Sequence, residues 1–124
     1  MSHISRLRTR MVDKKFLLLA LNDLGYRVEE GEFHLRGMNT GDTVQIKIHI
    51  PFSYDVGVQF NNNAYEIVAD WWGVRKKDQQ QLTTTLLQRY AYHAALDKLQ
   101  EQGFTLAEET KEQGQIHLVL RRIV

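Results

Sequence analysis

The chain has 124 residues, 43% of them hydrophobic and 25% charged, with a formal net charge of +1 and no cysteine. This length suits a single domain spanning 1–124, large enough to bury about two-thirds of its unfolded surface. The composition excludes disulfides, thiol catalysis and cysteine metal sites, and the near-zero charge excludes a global field toward nucleic acid or anionic lipid.

The N-terminal residues 1–11 alternate weakly and are expected to form a first strand. Asp13 is a plausible N-cap. Phe16, Leu17, Ala20, Leu21 and Leu24 recur at helical spacing, and Gly25 is the expected stop. The apolar run from Phe16 to Leu21 is too short for a signal peptide, and nothing approaches the roughly 18 apolar residues of a membrane span. A cytoplasmic protein with no membrane partner is expected. Tyr26 to Glu30 and Glu32 to Arg36 read as a hairpin turning at Gly31.

The strongest strand signal follows. Val44, Ile46, Ile48 and Ile50 alternate with Gln45, Lys47 and His49, and Pro51 ends the run. Val56, Val58 and Phe60 alternate next, and the turn Asn61-Asn62-Asn63 leads into Tyr65, Ile67 and Ala69. A long helix is predicted from Lys77 or Asp78 to Gln102, stopped by Gly103. Strands from Phe104 to Thr110 and from Gln115 to Ile123, joined at Gly114, complete the chain.

Two segments echo one another. Leu21 to Glu30 and Leu99 to Glu109 both end a helix at a glycine and start a strand with an aromatic, Tyr26 or Phe104. Phe33-His34-Leu35 and Ile116-His117-Leu118 extend the likeness. The expected fold is therefore α+β: a two-layer sandwich of pseudo-duplicated strand–helix–strand–strand units, with two helices on one face of an antiparallel sheet. The reverse face should be wet. It would carry Arg6, Arg8 and Arg10, joined by His117 or Arg121 if the first and last strands pair.

Three features are candidates for chemistry. On the long helix, Leu82, Leu86, Arg89, Tyr92, His93 and Leu96 share a stripe. Arg89 and His93 would then need a carboxylate such as Asp70 or Glu66. A structural hydrogen-bond network is the commoner outcome of such a pattern. Trp71 and Trp72 are adjacent and should point to opposite faces. Trp72 is either a partner anchor or a lid on the core. Arg6, Arg8 and Arg10 could meet phosphates, but the aromatics in phase with aliphatic residues suit a core, not a base-stacking platform. His3, His34, His49, His93 and His117 lack short ligand spacing, so no metal and no cofactor is expected. Gly37 to Gly41 lacks the terminal GK[ST] of a phosphate loop, and no serine sits in a nucleophile elbow. No catalytic residue is assigned.

Taken together, Met1-Ser2-His3-Ile4-Ser5, Ala20 to Gly25, Tyr65 to Asp70, Gln88 to His93 and Gly114 to Arg122 resemble the hypothetical chloroplast reading-frame family of algal plastids and cyanobacteria. That family is a domain of unknown function, and the resemblance spans essentially the whole chain. It departs at Trp71-Trp72-Gly73 and in the longer middle loop. It implies a phototroph- or phage-related source and a cytoplasmic or stromal setting, and it transfers no site. The residues favour a non-enzymatic protein-binding or assembly module, with another protein or a second copy as partner. Tyr92, Ala95, Leu96 and Leu99 offer a second apolar edge for such a contact. The alternatives are a nucleic-acid-binding sheet face, or a small-ligand or enzyme site near Asp70, Arg89 and His93.

Overall fold

Asn62 and Asn63 adopt φ of 52° and 65°. Left-handed residues at both central positions match the twist of a two-residue hairpin, and asparagine tolerates them well. This turn joins β4 (Val56–Asn61) to β5 (Ala64–Ala69), whose ladder closes with Asn61 opposite Ala64. The computed structural model describes residues 4–122 and divides into two units, residues 1–90 and 91–124. His3 and Ile123 lie outside the described residues.

The first unit begins with β1 (Ser5–Arg8), α1 (Lys14–Asp23), β2 (Arg27–Phe33) and β3 (Val44–His49). Its five strands form one antiparallel sheet in the order β1-β5-β4-β3-β2. Asp13 caps α1, its side chain accepting from the Lys15 amide at 2.9 Å. Gly25, at φ 80°, ends it. The Tyr26 amide then reaches back to the Leu21 carbonyl and the Gly25 amide to that of Asn22, which satisfies carbonyls the helix end would otherwise leave open. After β5 come a 3-10 turn (Trp71–Gly73), α2 (Lys76–Gln80), a π-helical stretch (Gln81–Thr85) and α3 (Leu86–Glu101).

The inward phase of the sheet is aliphatic, as its alternation dictates. Ile46, Ile48, Val56, Val58, Ile67 and Ala69 join Leu17, Ala20 and Leu21 of α1 and Leu82 and Leu86 in one buried cluster. Each large side chain so buried contributes about 1.5–3 kcal/mol. The protein is thus α+β with an antiparallel sheet.

Three expectations are corrected. The hairpin at Gly31 does not form, because β2 runs through it as one strand paired to β3, with an irregularity between Glu30 and Phe33. β3 offers a complete ladder, and a glycine is easily absorbed as a bulge. β1 pairs with β5, not with the last strand. The reverse of the sheet is also not wholly polar: Leu35, Val44 and Val68 form a second small cluster with Ile4, Phe33 and Met38 against it. Gly57, the cross-strand partner of Val68, makes the room. A Cβ there would lie 2.7 Å from both Val44 methyls and 2.8 Å from Leu35 Cδ1.

In the second unit, β6 (Phe104–Glu112) and β7 (Gln115–Arg122) form a two-stranded antiparallel sheet. They turn at Gln113 and Gly114, at φ 50° and 77°. The Tyr92 hydroxyl donates to Glu109 Oε2 at 3.0 Å. No described residue from 91 onward is buried. The order strand–helix–strand–strand occurs in both halves, as β1-α1-β2-β3 and as β5 followed by the helices, β6 and β7, and in each the two strands after the helix pair antiparallel.

Candidate functional site

Pro51 and Phe52 occupy the middle of a tight turn closed by the Ser53 amide on the Ile50 carbonyl at 3.1 Å. Phe52 holds φ 60°. Proline at the first central position and positive φ at the second is the pattern of a type II turn, where glycine or asparagine is the ordinary occupant. Here a phenylalanine stands instead, and its side chain is 100% exposed. A bulky residue in this region carries strain of about 1–2 kcal/mol.

The turn is tied to a second exposed aromatic. The Tyr54 amide donates to the Gly73 carbonyl at 2.9 Å, and the Arg75 amide to Ser53 Oγ at 3.3 Å. The Tyr54 ring lies so close over Gly73 that any side chain there would overlap it. Trp71 is half-buried against the main core, while Trp72 is 82% exposed, with its ring 6.5 Å from that of Tyr54. The expected inside–outside split of the tryptophan pair is present, produced by a 3-10 turn and not by a strand. Phe52 and Trp72 thus project from two loops hydrogen-bonded together at one end of the sheet.

Ser53 and Tyr54, which follow Phe52, also line a cavity of about 510 Å³. Phe33, Arg36, Lys47, His49, Tyr54, Asp55 and Asp70 are among its lining residues. Most of its charges are already engaged. Lys47 meets Glu29 at 3.2 Å and lies 4.8 Å from the Phe33 ring centre. His49 Nδ1 is 3.2 Å from Asp55 Oδ1. The Arg36 guanidinium stacks over Tyr54 at 5.0 Å. Asp70 is only 3% exposed. Its Oδ1 accepts the Trp72 amide at 3.2 Å and caps the turn, and its Oδ2 is buried with no hydrogen-bond partner among the described residues. Among the described residues, no three His, Cys, Asp or Glu side chains converge to hold a metal.

The other sequence candidates lie apart from this cavity. Arg6 meets Glu66 at 3.8 Å, and Arg8 donates to the Asn62 carbonyl at 2.8 Å. Arg10 is exposed just beyond β1. Arg89 finds its carboxylate in Asp23 of α1, at 2.8 Å, and not in Asp70 or Glu66. Asp70 and Glu66 belong to β5 and its end, whereas Asp23 ends α1, whose Phe16 ring meets that of Tyr90 edge to face at 5.9 Å. His93 sits in the second unit, its ring 5.0 Å from that of Tyr92.

Sequence reasoning missed Phe52, Tyr54 and Arg36. The Pro51-Phe52 pair carried a signal, an aromatic directly after the proline of a turn, but only the strand stop was visible in it. A network around buried Asp78 of α2 was missed as well. Tyr26 donates to Asp78 Oδ1 at 2.7 Å, and Arg75 holds Asp78 Oδ2 at 2.9 Å. Burial, and then the bond to Asp78, push the Tyr26 phenol well above its ordinary value.

Residues 20–119 match the family described as protein of unknown function, DUF1257. The chain belongs to this family. Its relatives include the proteins named uncharacterized protein ycf35 in three algae. The one from Guillardia theta is 34% identical, that from Cyanophora paradoxa 31% and that from Pyropia yezoensis 29%, each over 98% of both chains. The resemblance to a hypothetical chloroplast reading-frame family is thereby established. No solved structure matches the chain. No helix among the described residues is long and apolar enough to cross a membrane.

Proposed function

We propose that this DUF1257 member is a non-enzymatic binding module that docks another protein through Phe52 and Trp72, in the cytoplasm or plastid stroma. The observation that carries the reading is the pair of almost fully exposed aromatics on loops braced against each other. Aromatic side chains give large contact area at little entropic cost and dominate binding hot spots. Phe52 adds a second argument: a strained backbone that presents a side chain to solvent serves no packing purpose. The engagement of Arg6 and Arg8 within the protein leaves the sheet's arginines a poorer fit to a phosphate backbone.

The test is quantitative affinity purification of the tagged protein from its native cells. A defined partner recovered with the wild-type chain should fall at least tenfold with the Phe52→Ala/Trp72→Ala double variant, at unchanged melting temperature. Equal recovery with the double variant would overturn the reading.

A further inference from the structure

The second unit carries apolar side chains that it does not finish burying. Leu96 of α3, Leu106 of β6, and Ile116, Leu118 and Leu120 of β7 are all only half-buried. Three of them alternate along β7, so they share one face of the hairpin. Glu109 is the cross-strand partner of Leu118 and is held by Tyr92 of α3, so the helix lies over that same face. One helix on two strands makes a thin core, and a two-stranded sheet is marginal until further strands join it.

The two edges of this sheet differ. β6 is irregular between Leu106 and Glu108, and a bulge turns an edge away from further pairing. A second β6 paired antiparallel about the strand's midpoint would also set Glu108 opposite its counterpart, a destabilising like-charge pair. β7 has no extra residue in the same stretch, and no strand lies on its outer side among the described residues. Its sequence is complementary to itself. Turned antiparallel onto a second β7 about Leu118, it sets Ile116 opposite Leu120, Leu118 opposite its counterpart, His117 opposite Val119 and Gln115 opposite Arg121. Apolar side chains then meet on one face and no like charges oppose. Centring on Val119 would set Ile116 against Arg122 and His117 against Arg121, so the pattern selects the first register.

We infer that the chain forms a two-fold homodimer in which β7 pairs antiparallel with β7 of a second copy about Leu118. The joined sheet has four strands in the order β6-β7-β7-β6, with both α3 helices on the face that carries Leu118. The inference concerns the second unit and stands apart from docking through Phe52 and Trp72.

The test is sedimentation equilibrium of the full-length chain from about 1 to 300 μM, a range suited to a modest interface. The wild type should pass from monomer to dimer. Val119 is 51% exposed, and in this register it lies diagonal to its counterpart across the two-fold axis. Val119→Lys and Val119→Glu should each keep the fold and weaken self-association about tenfold, because an apolar contact is lost and like charges meet. An equimolar mixture of the two should regain association through an opposed pair. Amide shifts of the wild type on dilution should fall in β7. A wild-type monomer at every concentration would overturn the inference, as would undiminished dimers of both variants. Weakened variants that do not recover on mixing, or dilution shifts centred on the loops of Phe52 and Trp72, would overturn it too.

Discussion

Phe52 spends conformational energy on display. Its side chain touches solvent on all sides, so removing it takes no packing from the core. The relief of left-handed strain, about 1 kcal/mol, is nearly offset by the extra chain entropy of glycine, also about 1 kcal/mol. Phe52→Gly should therefore hold its thermal midpoint within a few degrees, measured by calorimetry, and still lose the partner. A large drop in stability would give Phe52 a structural role instead. Tyr26 is the opposite kind of residue. Its phenol ionises near pH 10 in the unfolded chain, whereas burial and the bond to Asp78 keep it protonated to higher pH when folded. Its contribution is complete below pH 10 and is lost as pH rises toward the folded value. Tyr65 and Lys14 are shifted upward as well, so alkaline stability should fall steeply. Tyr26→Phe should cost about 1 kcal/mol at neutral pH and flatten that fall, as read by urea denaturation between pH 9 and 11. Equal slopes for the two proteins would contradict the assignment. At this scale the local chemistry of Asp13, Gly25 and Asn62 was legible because each acts on its own backbone neighbours. Phe52 was not, because its strain depends on a turn closing between Ile50 and Ser53.

Elements obey the same division. The alternation of Val44 to Ile48 and of Val56 to Val58 defined two strands without ambiguity, since one face had to enter a core. β2 misled because its sequence is polar on both sides and holds Gly31. Such a strand has no intrinsic register and takes whatever its neighbour offers. The long helix was legible as a run of about 25 residues, but not its π-helical stretch at Gln81–Thr85, where Thr83 turns its hydroxyl onto the Gln79 carbonyl at 2.6 Å. The reverse face of the sheet was misread through a single residue. Gly57 lets Val44 and Leu35 close down beside Val68, and an absent side chain leaves no periodic trace. Gly57→Ala should cost about 1–3 kcal/mol by overpacking, measured by chemical denaturation. A neutral substitution would mean that the second cluster is loosely filled.

At the level of the molecule, most apolar surface of the first unit is spent in two clusters, and the two most exposed large apolar side chains, Phe52 and Trp72, sit on neighbouring loops. There the β3–β4 turn and the Trp71–Gly73 turn come together through hydrogen bonds, one to a backbone carbonyl and one to the Ser53 hydroxyl, between residues some twenty apart in sequence. Contacts of that separation explain why sequence reading isolated Trp72 and Asp70 but placed Asp70 with Arg89, which the fold commits to Asp23. The most direct measurement is site-specific photo-crosslinking in native cells, with a photoreactive phenylalanine analogue placed at Phe52 or, as a control, at exposed Val12. A discrete protein adduct from position 52 and none from position 12 is the predicted result. No adduct at 52, or the same adducts from both positions, would contradict the account.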